Sequence, residues 1–352
     1  MADKPIHYDD IEGVEDLFQY KADGFHPVVP GVTFDNDRYT ITNKLGHGSY
    51  STVWIAKDQV SNRFVALKIQ RADVSLVHAE WKLVQRLQDK HDNIEGADQG
   101  RKFLVLPEDS FEIVGINDLH SGNIFLKLPK MTTSEMMDKF GSPVLEDVER
   151  LDGKPLTAHV PSTATVAVDY PDASQFSGDI VIGDFGSAFS TSPTTTTLES
   201  PVVFNVRITN AAPEVLVRCE EIPIGLPSDI WSLGCLIVFL LSGKELFEDW
   251  FASEKSITAD IVKLLGSSPP SFVRAWESKN VILKSPAEGT HDALENRLEE
   301  LLSMQDSKIN RMDVEERGMI IDLLKRIFRW EDQERPSIDE VKSHAWSQGA
   351  QQ

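Results

Sequence analysis

Cysteine is scarce in this chain. Only Cys219 and Cys235 occur among 352 residues. That excludes a disulfide framework and the paired spacings of a zinc site, and it points to a reducing compartment. Long apolar runs are lacking too. The longest, Ile230 to Leu241, is too short to span a bilayer and reads as a buried core helix. The first ten residues are polar and acidic, without the apolar stretch of a secretory signal. Positive charge is in deficit: 35 Lys and Arg against 56 Asp and Glu leave a formal charge of −21. This argues against nucleic acid as a partner, because phosphate contacts dominate such affinity. It suits a basic protein partner, and it equally suits solubility alone.

What is present allows a sizeable core. With 41% hydrophobic residues over this length, one large domain or two lobes are expected. Residues 1–30 are polar and irregular, with Pro27 and Pro30 near their end. Strands are expected at Tyr39–Leu45, Ser51–Lys57 and Arg63–Ile69. A helix is expected over 74–88, where Leu76, Leu83 and Leu87 share a stripe at helical spacing. Further strand structure is expected in 103–113. The stretch between Lys127 and Asp179 lacks sustained periodicity and reads as a long insertion, with one short helix near Ser134–Phe140. From Ser228 onward the pattern is mostly helical.

Chemistry-bearing residues begin at Leu45-Gly46-His47-Gly48-Ser49-Tyr50-Ser51-Thr52-Val53, followed by Val65-Ala66-Leu67-Lys68. Two close glycines between strands let backbone N–H groups approach a phosphate without an intervening Cβ. Lys68 supplies a positive charge for it. Alone the glycine pair is a weak signal, since Ser51 stands where a third glycine is usual. Glu80 falls on the apolar stripe of the 74–88 helix, and an inward carboxylate needs a partner. Lys68 is the candidate; a boundary glutamate reaching for water is the plainer reading.

Asp118 and Asn123 stand five apart before the apolar Ile124-Phe125-Leu126, and Ile180-Val181-Ile182 leads into Gly183-Asp184-Phe185-Gly186. By itself each could be a turn. Ala212-Pro213-Glu214 and Glu334-Arg335-Pro336 offer a buried pair between Glu214 and Arg335. Ser228 or Asp229 is expected to cap the helix that follows, with Asp229 also reaching the 118–123 loop.

Together these motifs resemble the eukaryotic protein kinases, and among them the SR-protein kinase-like group of filamentous fungi. Gly24-Phe25-His26-Pro27-Val28, Tyr50-Ser51-Thr52-Val53-Trp54, Asp118-Leu119-His120-Ser121-Gly122-Asn123 and Arg150-Leu151-Asp152-Gly153-Lys154-Pro155-Leu156 carry the resemblance. It covers nearly all of residues 20–347. It implies an α+β, two-lobed fold with a β-rich N-lobe and a helical C-lobe. The expected divisions are an extension at 1–34, the N-lobe at 35–113, the C-lobe at 114–347 with an insertion at about 128–178, and a tail at 348–352. It implies ATP and Mg²⁺, and Ser/Thr protein substrates, arginine/serine-rich ones included. Leu45, Gly46, His47, Gly48, Ser49, Tyr50, Ser51, Val53, Ala66 and Lys68 would hold the nucleotide, and Glu80 would hold Lys68. Asp118 would be the base, and Asn123 and Asp184 the metal ligands. A monomer in the cytoplasm or nucleus, with no membrane partner, completes the expectation.

The pattern departs from the family in one place. Only fifty positions lead from Lys68 to Asp118, fewer than the resemblance implies. The fifth strand, the adenine-gripping hinge and the helices before the catalytic loop are expected to be absent, truncating the fold at the lobe junction. Ile116 and His120 stand where a His and a Lys are usual. The alternative to an active kinase is therefore a catalytically impaired, pseudokinase-type binding module, or a truncated product without function.

Overall fold

Polar turns flanking alternating strands build an antiparallel sheet at the start of the chain. In the computed structural model its strands are β1 (Thr33–Phe34), β2 (Tyr39–His47), β3 (Ser51–Asp58) and β4 (Arg63–Gln70), hydrogen-bonded in that order. The structure describes residues 8–22, 24–75, 123–126, 131–169, 180–182, 207–217, 222, 224–248, 253–278, 292–303 and 312–349. The turn before β2 holds Asp35, Asn36 and Asp37 at φ of 52°, 51° and 66°, and Asn62 before β4 has φ 55°. Asp and Asn tolerate this left-handed region better than other side chains. Ile41, Trp54 and Ala56 turn inward against Val28 and form the sheet's core.

The chain divides into two compact units, Met1–Ala79 with Leu126–Ile180, and Glu80–Phe125 with Val181–Gln352. In the first, the segment expected as an insertion groups with the N-terminal residues. The expected short helix is present as α2 (Thr133–Phe140), after a four-residue α1 (Ala72–Ser75). Thr132 and Glu135 close a capping box on α2, and Met136 is buried. The short strand β5 (Ile124–Leu126) pairs with β8 (Ile180–Ile182). Between them lies an unexpected hairpin, β6 (Leu145–Asp147) paired with β7 (Thr163–Thr165). Val148, Val160 and Ala164 from this segment share a small core with Leu17, Tyr20 and Phe25.

The second unit is helical: α3 (Pro213–Val217), α4 (Leu226–Ser242), α5 (Glu254–Leu265), α6 (Pro270–Ser278), α7 (Ala293–Ser303), α8 (Val314–Ile327), α9 (Ile338–Ser343) and α10 (Ala345–Gly349). Ser253, Asp313 and Ser337 cap α5, α8 and α9 by accepting from the backbone N–H three residues on. The core centres on Trp231, fully buried, stacked on Phe247 at 5.5 Å and edge-on to Phe328 at 5.0 Å. Among the described residues no helix is long and apolar enough to cross a membrane.

One expectation is corrected. Helix α4 begins at Leu226, with Gly225 at the cap position and Pro227 in the first turn, so neither Ser228 nor Asp229 is the cap. Proline needs no N–H partner there, and Ser228 is thereby released for a different bond. The expected partner loop of Asp229, the 103–113 strand, most of the 74–88 helix and the boundary near 113 lie outside the described residues.

Gly234 shows how tightly α4 packs. A Cβ there would lie 2.6 Å from Ile327 Cγ2 and 2.9 Å from Phe328 Cζ, whereas one at Gly318 in α8 would meet nothing within 4 Å. Alanine is the better helix former by roughly 0.8–1.0 kcal/mol. Gly318→Ala is therefore expected to stabilise by up to about that amount. Gly234→Ala is expected to destabilise by about 1–3 kcal/mol through overpacking. Urea unfolding of both variants checks the opposite signs.

Asp58 gives a pH dependence. Its carboxylate accepts from Ser61 Oγ at 2.7 Å, Arg38 Nε at 3.2 Å and Val60 N at 2.9 Å. The Ser61 hydroxyl first, then Arg38, hold its pKa well below the usual carboxylate value. A depressed folded pKa contributes stability that is complete above the unfolded value, about 3.9, and is lost as the pH falls below it. Thermal melts from pH 7 to 3 should show wild type above Asp58→Asn at neutral pH. The gap should close only below about pH 4; a constant gap would refute this origin.

Candidate functional site

Antiparallel register brings the candidate phosphate-binding residues together on one sheet. Gly46 in β2 faces Val53 in β3, and Val53 faces Lys68 in β4. The three stand in a row across three strands, with His47 opposite Thr52 and Ala66 opposite Ile55. Lys68 is half-buried. The register of β2 shifts between Lys44 and Gly46, a bulge that redirects the strand where the glycine-containing turn begins. Gly48 N donates to Ser51 O at 2.8 Å and closes that turn. A Cβ at Gly48 would meet no atom of the described residues within 4 Å, so their packing supplies no reason for glycine there. Close approach of an anion to the backbone does, so these residues fit a nucleotide phosphate.

Arg71, just past β4, carries no motif that marks it in the sequence. Its N–H donates to Tyr50 O at 2.9 Å and its guanidinium to Ser49 O at 3.0 Å. The same group is paired in two places with Asp73 and lies over the Tyr50 ring at 5.4 Å. The turn tip is thus tied to the end of β4. Its only advance signal is a lone basic residue after the lysine-bearing strand. His47 is exposed at the end of β2; residual desolvation first, then the nearby Lys44 charge, lower its pKa.

Asn123 is buried immediately before β5. Glu80, Asp118 and Asp184 lie outside the described residues, so of the two candidate metal ligands the structure describes Asn123, and of the candidate catalytic residues Lys68. Among the described residues no group of three or more His, Cys, Asp or Glu side chains is placed to hold a metal ion.

In the helical unit the expected Glu214–Arg335 pair is present. Arg335 Nη1 and Nη2 donate to the two carboxylate oxygens at 2.6 and 2.8 Å, and both side chains are essentially inaccessible to solvent. The remaining donors reach Pro227 O at 3.0 Å, Arg329 O at 3.0 Å and Trp330 O at 3.3 Å. All five N–H groups of the guanidinium are therefore used. Ser228 Oγ, freed from capping, donates to Glu214 Oε1 at 2.7 Å, and the Arg335 guanidinium lies 5.1 Å over the Trp231 ring.

The protein kinase domain model matches residues 173–347. The serine/threonine-protein kinase SKY1 of Saccharomyces cerevisiae is 39% identical over 114 residues, 32% of this chain and 15% of that protein. The dual specificity protein kinase lkh1 of Schizosaccharomyces pombe is 27% identical over 353 residues, 92% of this chain and 48% of that protein. A serine/threonine protein kinase of Aspergillus fumigatus, AFUB_078980, is 24% identical over 375 residues, 92% of this chain and 87% of its own length. The chain thus spans less than half the length of the first two relatives.

Removing one member of a buried pair leaves the other uncompensated, at a cost of about 3–5 kcal/mol. Arg335→Ala should lower stability by that order in chemical unfolding. Glu214→Leu combined with Arg335→Met should recover part of the loss, because no lone charge remains.

Proposed function

Because the chain belongs to the protein kinase family, with its α+β fold, we propose that it transfers the γ-phosphate of ATP to serine or threonine hydroxyls of proteins. The observation that carries this reading is the Gly46–Val53–Lys68 row beside the Gly48 turn. ATP with Mg²⁺ supplies the phosphoryl group and the charge that offsets its oxygens. Leu45, Val53 and Ala66 would line the base and sugar side. The amides of His47 to Ser51 and the Lys68 ammonium would hold the phosphates, with Glu80 holding Lys68. Asn123 and Asp184 would hold the metal. Asp118 would accept the hydroxyl proton as the substrate oxygen attacks phosphorus and the bond to ADP breaks.

A relative named SRSF protein kinase 3, from human, is 37% identical over 114 residues. With the formal charge of −21, that supports basic, arginine/serine-rich substrates for this chain. A second reading has its own support. Fifty positions from Lys68 to Asp118 leave little chain for an adenine-reading hinge. A phosphate-binding but catalytically impaired module is the alternative.

Calorimetry and a phosphotransfer assay separate the two. Lys68→Ala should abolish Mg-ATP binding, because phosphates facing Glu80 and Asp184 lose their strand-borne cation. Asp118→Asn should spare binding and lower transfer to an arginine/serine-rich peptide by about 10²–10⁴-fold. ATP and GTP should bind with similar affinity, and adenosine hardly at all. Tight, adenine-selective binding would overturn the missing hinge, and transfer that survives Asp118→Asn would overturn the catalytic assignment. Binding without any transfer by wild type would favour the impaired module.

A further inference from the structure

A lysine on the strand entering a surface turn ordinarily reaches water. Lys44 does not. Its side chain is 1% exposed, and that of its partner Glu15 2%. Lys44 Nζ donates to Glu15 Oε2 and to Thr165 O at 3.0 Å, and Tyr20 OH donates to Glu15 Oε1. The ammonium also lies 5.8 Å from the ring centroid of Trp54, its register partner on β3. The backbone is held as firmly: Val168 N donates to Lys44 O at 2.8 Å, and Ala167 N to Gly13 O at 3.1 Å. Three remote stretches, 13–20, 44 and 165–168, therefore meet one residue before Leu45.

This arrangement is costly. Taking a carboxylate and an ammonium out of water carries a penalty that their attraction only about repays, and an apolar pair of similar volume would serve stability as well. Burial lowers the Lys44 pKa while Glu15 opposes that shift, and burial raises that of the Tyr20 phenol. What an ion pair adds over an apolar contact is directionality. Glu15 is aimed by Tyr20, and Lys44 is aimed by Glu15 and by a carbonyl, so the strand has one position. The position is that of the bulge between Lys44 and Gly46, where the chain departs into the glycine turn.

We propose that Glu15, Tyr20 and Lys44 form a latch by which the N-terminal segment and residues 163–168 fix the phosphate-binding turn at 45–53 in its nucleotide-competent geometry. They are positioning residues: all three are buried, and they act through the strand that carries Gly46. The part concerning nucleotide rests on the kinase reading above; the mechanical part does not.

The test uses the full chain with Glu15→Gln and with Glu15→Leu combined with Lys44→Met. Amide hydrogen exchange without nucleotide is measured first. Glu15→Gln should speed exchange in 45–53 and leave 254–265 and 314–327, in the helical unit, unchanged. Mg-ATP affinity is measured second, and should fall about tenfold, equivalent to about 1.4 kcal/mol. The double variant should regain the thermal midpoint of wild type yet keep the weakened affinity and fast exchange, which a purely structural pair would not do. Unchanged exchange in 45–53 in folded Glu15→Gln overturns the latch, as does wild-type Mg-ATP affinity in the double variant. If wild type binds no Mg-ATP while the exchange coupling is present, the kinase reading fails and the latch stands.

Discussion

The helical unit is organised around one buried cation. Arg335 cannot shed its charge, so burying it requires every N–H to find an acceptor. Glu214 answers two of them, and three backbone carbonyls answer the rest. Satisfying that demand draws α3, the first turn of α4 and the chain after α8 to one point. Ser228 is recruited to Glu214, and Trp231 lies beneath the guanidinium, where it starts the aromatic cluster with Phe247 and Phe328. Gly234 follows one turn later, with no room for a side chain. The arrangement anchors Ala212-Pro213-Glu214 to the first turn of α4 and to the chain after α8.

The sheet-containing unit answers a different constraint. The turn after β2, exposed from His47 to Ser49, has little packing of its own, so its geometry must be imposed from outside. Register supplies part of this by aligning Gly46, Val53 and Lys68. Arg71 holds the turn's tip through Ser49 and Tyr50, while Lys44 holds its base. The N-terminal stretch and residues 131–169 supply the remaining support through a small core of their own.

Local signals are legible in the sequence and distant ones mostly are not. The three long strands lie within two residues of their expected bounds, because alternation and turn chemistry are read over a few positions. The helix at Thr133–Phe140 is legible for the same reason. The hairpin of β6 and β7 is not, because β6 is exposed along its whole length and so carries no alternation. The cap of α4 misleads because Ser228 and Asp229 are both good capping residues, and only Glu214, far off in sequence, decides what Ser228 does. Glu214 and Arg335 can be paired from their motifs, each a short local pattern.

The sequence by itself determined the family resemblance: two glycines and a lysine on adjoining strands, with the Asp and Asn motifs. These are matters of residue type at short spacing, where backbone geometry leaves few alternatives. The tertiary structure alone decided which charges are buried and what they organise. Lys44 and Thr165 are 121 positions apart, as are Glu214 and Arg335. In sequence Lys44 is one more polar residue on a strand. Only when the N-terminal segment and a remote hairpin close over it does desolvation turn an ordinary lysine into a fixed point of the fold.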